Sequence, residues 1–384
     1  MANTLTNLIP TLYEALDKVS RELVGFIPAV RMNSTLERAA KDQTIRIPIV
    51  GDATTANITP AQTAPDTGDA TVTNTTITIS KSKMAPIRWN GEERVGLGTM
   101  YDPINVARSM QAMRALTNEV EADLGGLYTR ASLAFGTSAT TPFGTVNEFD
   151  DAAEVFRILD ENGAPQGDRH LVVDPAAMAK LRGYQTVVTH ANEAGDGGNA
   201  RRTGDLGPLL GFNLHTSGQV QQHTAGSATG YDANGGEPAA ETTLAVDGSD
   251  SGTILAGDVI TWASGPTEKY VVVSATASGA ASGNIVIQSP GLRSTLATTV
   301  EGTTSATYRA NMAFDRDAIQ LVTRMPALPD GGDAADDRTT ITDPNSGLSF
   351  DVAIYREYHQ VHIEIGLAWG YAAIKPEHIA LLLG

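Results

Sequence analysis

The chain has 384 residues, enough for one large or two to three ordinary domains, and it carries a formal charge of −17 and no cysteine. The acidic excess opposes a tight grip on a phosphate backbone, and the missing thiols exclude disulfide scaffolds, thiol catalysis and cysteine-based metal centres. Aromatics are only 5% of residues, and the abundance of Gly, Ala, Thr and Ser beside evident helical stretches points to a broad, sheet-rich α+β class.

Residues 4–24 read as an amphipathic helix, because Leu5, Leu8, Leu12, Leu16, Val19 and Leu23 recur at spacings of three and four. Pro10 falls near its start, and Gly25 and Pro28 end it. Leu12 and Leu16 on this stripe are candidates for contact with a neighbouring subunit; the plainer expectation is a helix packed on its own domain. The opening ten residues lack a basic stretch followed by an apolar one, and no run of about 18 apolar residues occurs, so no membrane span is expected.

Residues 44–50 alternate, with Ile45, Ile47 and Ile49 apolar and Arg46 and Pro48 between them, which is a strand signature. Residues 51–71 are a low-complexity stretch rich in Thr, Ala, Asp and Pro without an aromatic, after which Val72, Ile77 and Ile79 resume a strand running through 81–89. Two strands joined by roughly twenty core-poor residues make a long hairpin that cannot bury itself and needs a partner surface.

Asp102-Pro103 is read as an N-cap and first-turn proline. Val106, Met110, Met113, Leu116, Val120, Leu124, Leu127 and Ala131 continue a stripe at helical spacing. Unbroken to Ala134, such a helix is about 50 Å long, a spine rather than an ordinary helix, with Gly125-Gly126 a place to bend. Arg88, Trp89, Glu92, Glu93 and Arg94 crowd charge and an aromatic where the hairpin meets the spine. They suit either ion pairing within the chain or a salt-bridge site between subunits. Gly96 and Gly98 are the hinge candidates.

Residues 148–222 read as a compact α/β unit. Asp150 or Asp151 opens a helix carrying Val155, Phe156, Ile158 and Leu159, which Asn162-Gly163 closes. A short buried strand follows at 170–173, then an Asp174-Pro175 cap, a helix to Leu181, a polar glycine-rich loop at 193–204 and a strand-like piece at 206–214. Residues 223–308 change composition sharply. Short alternating runs at 243–246, 253–262, 269–274 and 284–288 suggest a small β barrel or sandwich inserted in the α/β unit. Beyond Asn311 come a strand at 313–323, an acidic loop at 326–345, long strands at 348–358 and 359–371, and an apolar tail at 379–383, a sheet expected to pack on the spine.

The chemistry of a catalytic site is missing from the sequence. The seven histidines form no zinc spacing; His359 and His362 are three apart, which in a strand puts them on opposite faces. Asp330, Asp333, Asp336 and Asp337 lack the glycine and terminal glutamate of a calcium loop. No phosphate-binding glycine fingerprint and no nucleophile elbow occur. Catalytic, cofactor and metal residues are therefore none.

The order of elements resembles the Hong-Kong-97-type major capsid fold of tailed bacteriophages. Local motifs are similar to the coat proteins of short-tailed Salmonella-type phages: NTLTNLIPTLYEALDKVSRELVGFIPAV at 3–30, LVVDPAAMAKLRG at 171–183, AGDVI at 256–260, IVIQSP at 285–290 and IGLAWGYAAIKP at 365–376. The resemblance implies an N-terminal arm (1–43), an E-loop hairpin (44–90), a peripheral (P) domain with spine helix and long strands (91–147), an axial (A) domain (148–222) and a β-rich insertion domain (223–308). Return strands (309–384) complete the A and P domains. It further implies a structural protein, not an enzyme, that forms hexamers and pentamers of an icosahedral shell in the virion, assembled in a host cytoplasm with a scaffolding protein and a portal. A decoration protein on the shell is a further partner to consider. The shell encloses DNA without sequence-specific binding. Some relatives cross-link through a hairpin lysine, but 51–80 contains no Lys, and Lys81 and Lys83 stand on the returning strand, so covalent linking is not expected. An encapsulin-type compartment shell and another β-rich surface assembly protein are the alternatives.

Overall fold

The computed structural model describes residues 24–50, 55, 57, 58, 60, 72–144, 149–183, 206–248, 252–276, 282–343 and 346–384. Leu12 and Leu16, nearly all of the expected arm helix, most of the hairpin tip and the polar stretch at 193–204 lie outside the described residues.

The described chain opens with a one-turn helix, α1 (Phe26–Ala29), where a helix end was expected; Pro28 is tolerated there because first-turn N–H groups lack intrahelical acceptors. Strand β1 (Arg31–Ala39) follows, then β2 (Thr44–Val50) and β3 (Val72–Thr78). The expected single strand from 72 to 89 is two, because β4 (Lys81–Asn90) leaves the hairpin for a different partner. Helix α2 (Gly91–Leu97) is opened by a capping box. The Asn90 side chain accepts from Glu93 N at 2.7 Å and the Glu93 carboxylate accepts from Asn90 N at 3.0 Å.

A 3₁₀ turn (Gly98–Met100) leads into the spine, α3 (Tyr101–Gly125). Two expectations for it are corrected. Asp102 is not the N-cap but lies in the first turn, where its charge favours the helix dipole. The spine has 25 residues, about 37 Å, and stops at Gly125, because there the helix meets another backbone: a Cβ on Gly125 would stand 2.8 Å from the Gln219 carbonyl oxygen. The remainder winds into a 3₁₀ segment (Gly126–Arg130) and strand β5 (Leu133–Phe135).

Helix α4 (Asp150–Glu161), β6 (Arg169–Val173) and α5 (Pro175–Gly183) fall as expected, with the Asp174 carboxylate accepting from Ala177 N at 2.9 Å. The strand sought at 206–214 is β7 (Phe212–Thr216), since Leu210 and Gly211 turn at positive φ just before it. Strands β8 (Gln222–His223), β9 (Tyr231–Ala233), β10 (Thr243–Gly248), β11 (Val259–Trp262), β12 (Lys269–Ala275), β13 (Gly283–Ile287) and β14 (Glu301–Thr304) come next. The run at 313–323 divides into β15 (Tyr308–Asp315) and β16 (Ile319–Pro326) at a 3₁₀ turn capped by Asp315. Part of the expected acidic loop is a strand, β17 (Asp337–Thr342), ahead of β18 (Ser349–Glu357), β19 (Gln360–Ala373) and β20 (Ile379–Leu383). His359 lies in the turn between β18 and β19 at φ 55°, so the two-faced histidine strand at 359–362 does not form.

Three sheets result. A six-stranded sheet runs β1-β16-β19-β18-β17, with β4 on the remaining edge of β19. A twelve-stranded sheet joins β5, β20, β15, β6 and β7 to the strands of 223–308, with β8 attached to β15. Within it β11, β14, β9, β10, β13 and β12 close on themselves, because β11 also pairs with β12: the β-rich module is a six-stranded antiparallel barrel, grafted on β5. The third sheet is β2 and β3 alone. The spine lays Met113, Leu116, Val120 and Leu124 on the six-stranded sheet around Ile365, Leu367 and Trp369, each buried apolar side chain contributing about 1.5–3 kcal/mol.

Candidate assembly surfaces

The hairpin is an antiparallel ribbon, with Thr44 opposite Thr78 through Val50 opposite Val72. Its base is fastened: Ile77 and Ile79 are buried against Ala39, Val322 and Ala368, and Asp42 N donates to Ile79 O at 2.9 Å. Beyond the base, among the described residues, the ribbon's strands pair only with each other. A two-stranded ribbon is marginal alone in water, so the segment leading to 51–71 gains little from its own sheet. Ile58 in that segment is exposed.

Further along β4, that strand and α3 enclose an open, mostly apolar groove of about 520 Å³ lined by Ala85, Ile87, Ile104 and Ala107, with Arg108 and Gln111 also on its wall. Polar contacts along its frame hold the two elements at a set distance. Lys81 Nζ meets Asp123 at 2.8 Å and Glu119 at 3.0 Å, and Lys83 also pairs with Glu119. Burial works to lower the Lys81 ammonium, but the Asp123 and Glu119 carboxylates outweigh it and leave it above its ordinary range. Burial likewise pushes the Glu119 carboxyl up, and the two lysines bring it below its ordinary range. Both hairpin-side lysines are thus engaged with the spine of their own chain.

The five residues of the junction separate. Trp89 is 7% exposed, donates from Nε1 to Asn105 Oδ1 at 3.1 Å, and meets Tyr101 edge-on at 5.3 Å. It therefore holds β4 to the spine from inside. The Glu93 carboxylate is occupied by the capping box. Arg94 stacks over Tyr101 at 5.0 Å, and Arg108 over Trp89 at 4.5 Å. Arg88 and Glu92 are exposed, as are the apolar side chains of Val95 and Met100. Gly98 has φ 54°, ψ −121°, a conformation open to glycine, and a Cβ on Gly96 would have nothing within 4 Å. The short helix α2 is therefore joined to the spine by a segment with room around it.

Two anchors were not read from the sequence. Glu121 on the spine is fully buried. Its Oε1 accepts from Ile27 N at 2.7 Å, and Oε2 accepts from Phe26 N at 3.1 Å, Gly25 N at 3.3 Å and Ser217 Oγ at 2.8 Å. Burial pushes this carboxyl up, and the three backbone N–H groups with Ser217 pull it the other way. The signal available was a glutamate between Val120 and Leu124 on the apolar stripe. Asp351, 4% exposed, accepts from Arg38 at 3.0 Å and Arg338 at 2.5 Å, tying β1, β18 and β17 together.

Two of the aspartates of 330–337 meet cations of their own chain: Asp333 pairs with Arg338, and Asp336 with Arg356 at 3.0 Å. Among the described residues no three His, Asp or Glu side chains converge as a metal-binding group, and no helix is long and apolar enough to cross a membrane. His223 is held between Asp258 at 2.8 Å and Tyr128 at 2.9 Å, all within the packed junction of barrel and spine.

No protein-family profile matches the chain, and no curated protein matches it. Solved structures do. The capsid of cyanophage P-SCSP1u is 13% identical over 92% of this chain and 86% of that one, with a TM-score of 0.48. A structure of Mycobacterium phage Che8 is 14% identical over 89% and 85%, at 0.46. A virus-like particle from Pyrococcus furiosus is 11% identical over 97% and 96%, at 0.42.

Proposed function

We propose that the chain is the major capsid protein of a tailed bacteriophage, a structural subunit of the Hong-Kong-97 type without a catalytic cycle. The observation that carries this reading is the ribbon of β2 and β3, a sheet of two strands with no third strand among the described residues. Such a ribbon reaches stability by lying on another surface. The apolar groove between β4 and α3 offers one, and the same groove on a second copy leaves no copy with both surfaces bare. Each contact is modest, and a subunit held by several of them is retained by their multiplicity.

In this reading quasi-equivalent copies form hexamers and pentamers, a scaffolding protein and a portal guide assembly, and the closed shell encloses DNA in the virion. The charge of −17 suits a wall that does not grip its contents. The segment through Gly96 and Gly98 serves as hinge, and Arg88, Glu92 and Arg94 face the next subunit.

The test is expression of the full chain, alone and with its neighbouring genes, followed by electron microscopy, beside an Ile104→Asp variant that puts a charge in the groove. Uniform closed shells from the wild type, and folded but unassembled Ile104→Asp subunits, are expected. Monodisperse wild-type monomers under every assembly condition would overturn the proposal.

A further inference from the structure

His170 on β6 and His215 on β7 face each other in the larger sheet. Nδ1 of His170 and Nε2 of His215 are 2.9 Å apart, and the rings stack with centroids at 5.1 Å. The other nitrogen of His170, Nε2, lies 2.9 Å from Asp168 Oδ1. An ionised carboxylate only accepts, so Nε2 of His170 carries the proton and Nδ1 is left as an acceptor. The bridging proton therefore sits on His215. One proton fills the contact; two place N–H against N–H.

The charges facing the pair are Asp168 before β6, and Asp315 and Arg316 at the end of β15, with Arg316 also 3.3 Å from Asp168 Oδ2. The single carboxylate of Asp168 is thus already shared between an imidazole and a guanidinium. Among the described residues, strand β7 ends its sheet and pairs only with β6.

We propose that the facing imidazoles form an acid-sensitive clasp on β7, closed by one shared proton and opened when both rings are charged, so that mild acid frees this edge of the sheet. In support, burial first, then His170 and Arg316, depress His215 to about 4, and burial depresses His170 as well. A histidine held below its ordinary 6.5 contributes stability that is complete above that value and is lost as pH falls towards about 4. If opening of β7 restores an ordinary imidazole, the opening equilibrium rises about thirty-fold between pH 7.5 and pH 5.

The experiment is hydrogen exchange of the full-length chain over pH 7.5 to 4.5, normalised to intrinsic rates, comparing the wild type with His215→Gln, whose amide keeps a donor towards His170 but does not titrate. His362→Gln, on the other sheet, is the control. Between pH 7.5 and pH 5, protection at 212–216 should fall about thirty-fold in the wild type and the control and clearly less in His215→Gln. The same fall in all three, or none in the wild type, would overturn the clasp. Should His215→Gln fail to fold, ring-proton titration of the wild type decides: a His215 midpoint well below 6 supports the clasp, and one near the ordinary value ends it.

Discussion

Replacing Asp351 with Asn tests whether charge, rather than shape, holds the six-stranded sheet together. Asp351 Oδ2 accepts from Arg38 Nη1 at 3.0 Å and Arg338 Nη1 at 2.5 Å, while Oδ1 takes Arg38 Nη2 at 3.4 Å. Arg338 is further tied to Asp333 and to the Tyr355 hydroxyl at 3.0 Å, so two guanidiniums balance two carboxylates across β1, β17 and β18. An asparagine has one acceptor oxygen, and its amide must face one of the two guanidiniums. One charged hydrogen bond is lost and a positive charge is left without its partner at a position 4% exposed. A charged hydrogen bond is worth about 1.5–3 kcal/mol and a bereaved buried charge costs about 3–5 kcal/mol. Arg38 is 32% exposed and relaxes towards water, which places the net loss at about 2–4 kcal/mol. Urea unfolding followed by tryptophan fluorescence reads the change in midpoint. Asp351→Asn with Arg38→Gln should recover about half of it, a coupling of at least about 1 kcal/mol. A single variant within about 0.5 kcal/mol of wild type, or strict additivity of the pair, would refute the reasoning.

Glu121→Ala orphans three buried N–H groups at 25–27 and should cost about 3–5 kcal/mol, read by urea midpoint and by faster exchange of the Phe26 and Ile27 amides. Gly96→Ala, in open space on α2, should be neutral or stabilise by up to about 1 kcal/mol, whereas Gly98→Ala forces a side chain to positive φ and should lose about 1–2 kcal/mol in thermal unfolding. For Glu119, the lowered carboxyl contributes stability present above its ordinary 4.5 and lost as pH falls through its lower folded value. Lys81→Met should accordingly flatten the acid limb of a stability-against-pH curve, and an unchanged limb would count against the clamp.

The residue pattern carried the architecture further than the pairing. Strand β2 was legible to its ends from the alternation of Ile45, Ile47 and Ile49, and of these Ile45 and Ile47 pack against the apolar cluster at the ribbon's base. The spine's stripe was legible in the same way at helical period, and the ten-residue spacing of short runs in 223–308 announced a closed β module. Strand β1 was not legible: Arg31–Ala39 shows no alternation, since one flank is backbone paired in parallel with β16 while most of its side chains face outward. The break between β3 and β4 left no mark either. Both halves alternate suitably, and only the choice of partner, β2 for one and β19 for the other, separates them.

Composition, periodicity and local capping determined most of the helices and strands, that no thiol or familiar metal pattern is available, and that a long ribbon exists with too little core of its own. Those properties are set by neighbours in sequence. The tertiary structure alone decided where the spine stops, because Gly125 is needed for a backbone 94 positions away in sequence, at Gln219. It also decided that Glu121 and Asp351 are anchors, that Trp89 turns inward, and that His170 meets His215. Each of these depends on distant groups brought within about 3 Å, a distance at which hydrogen bonds and buried charges matter and about which the order of residues says nothing.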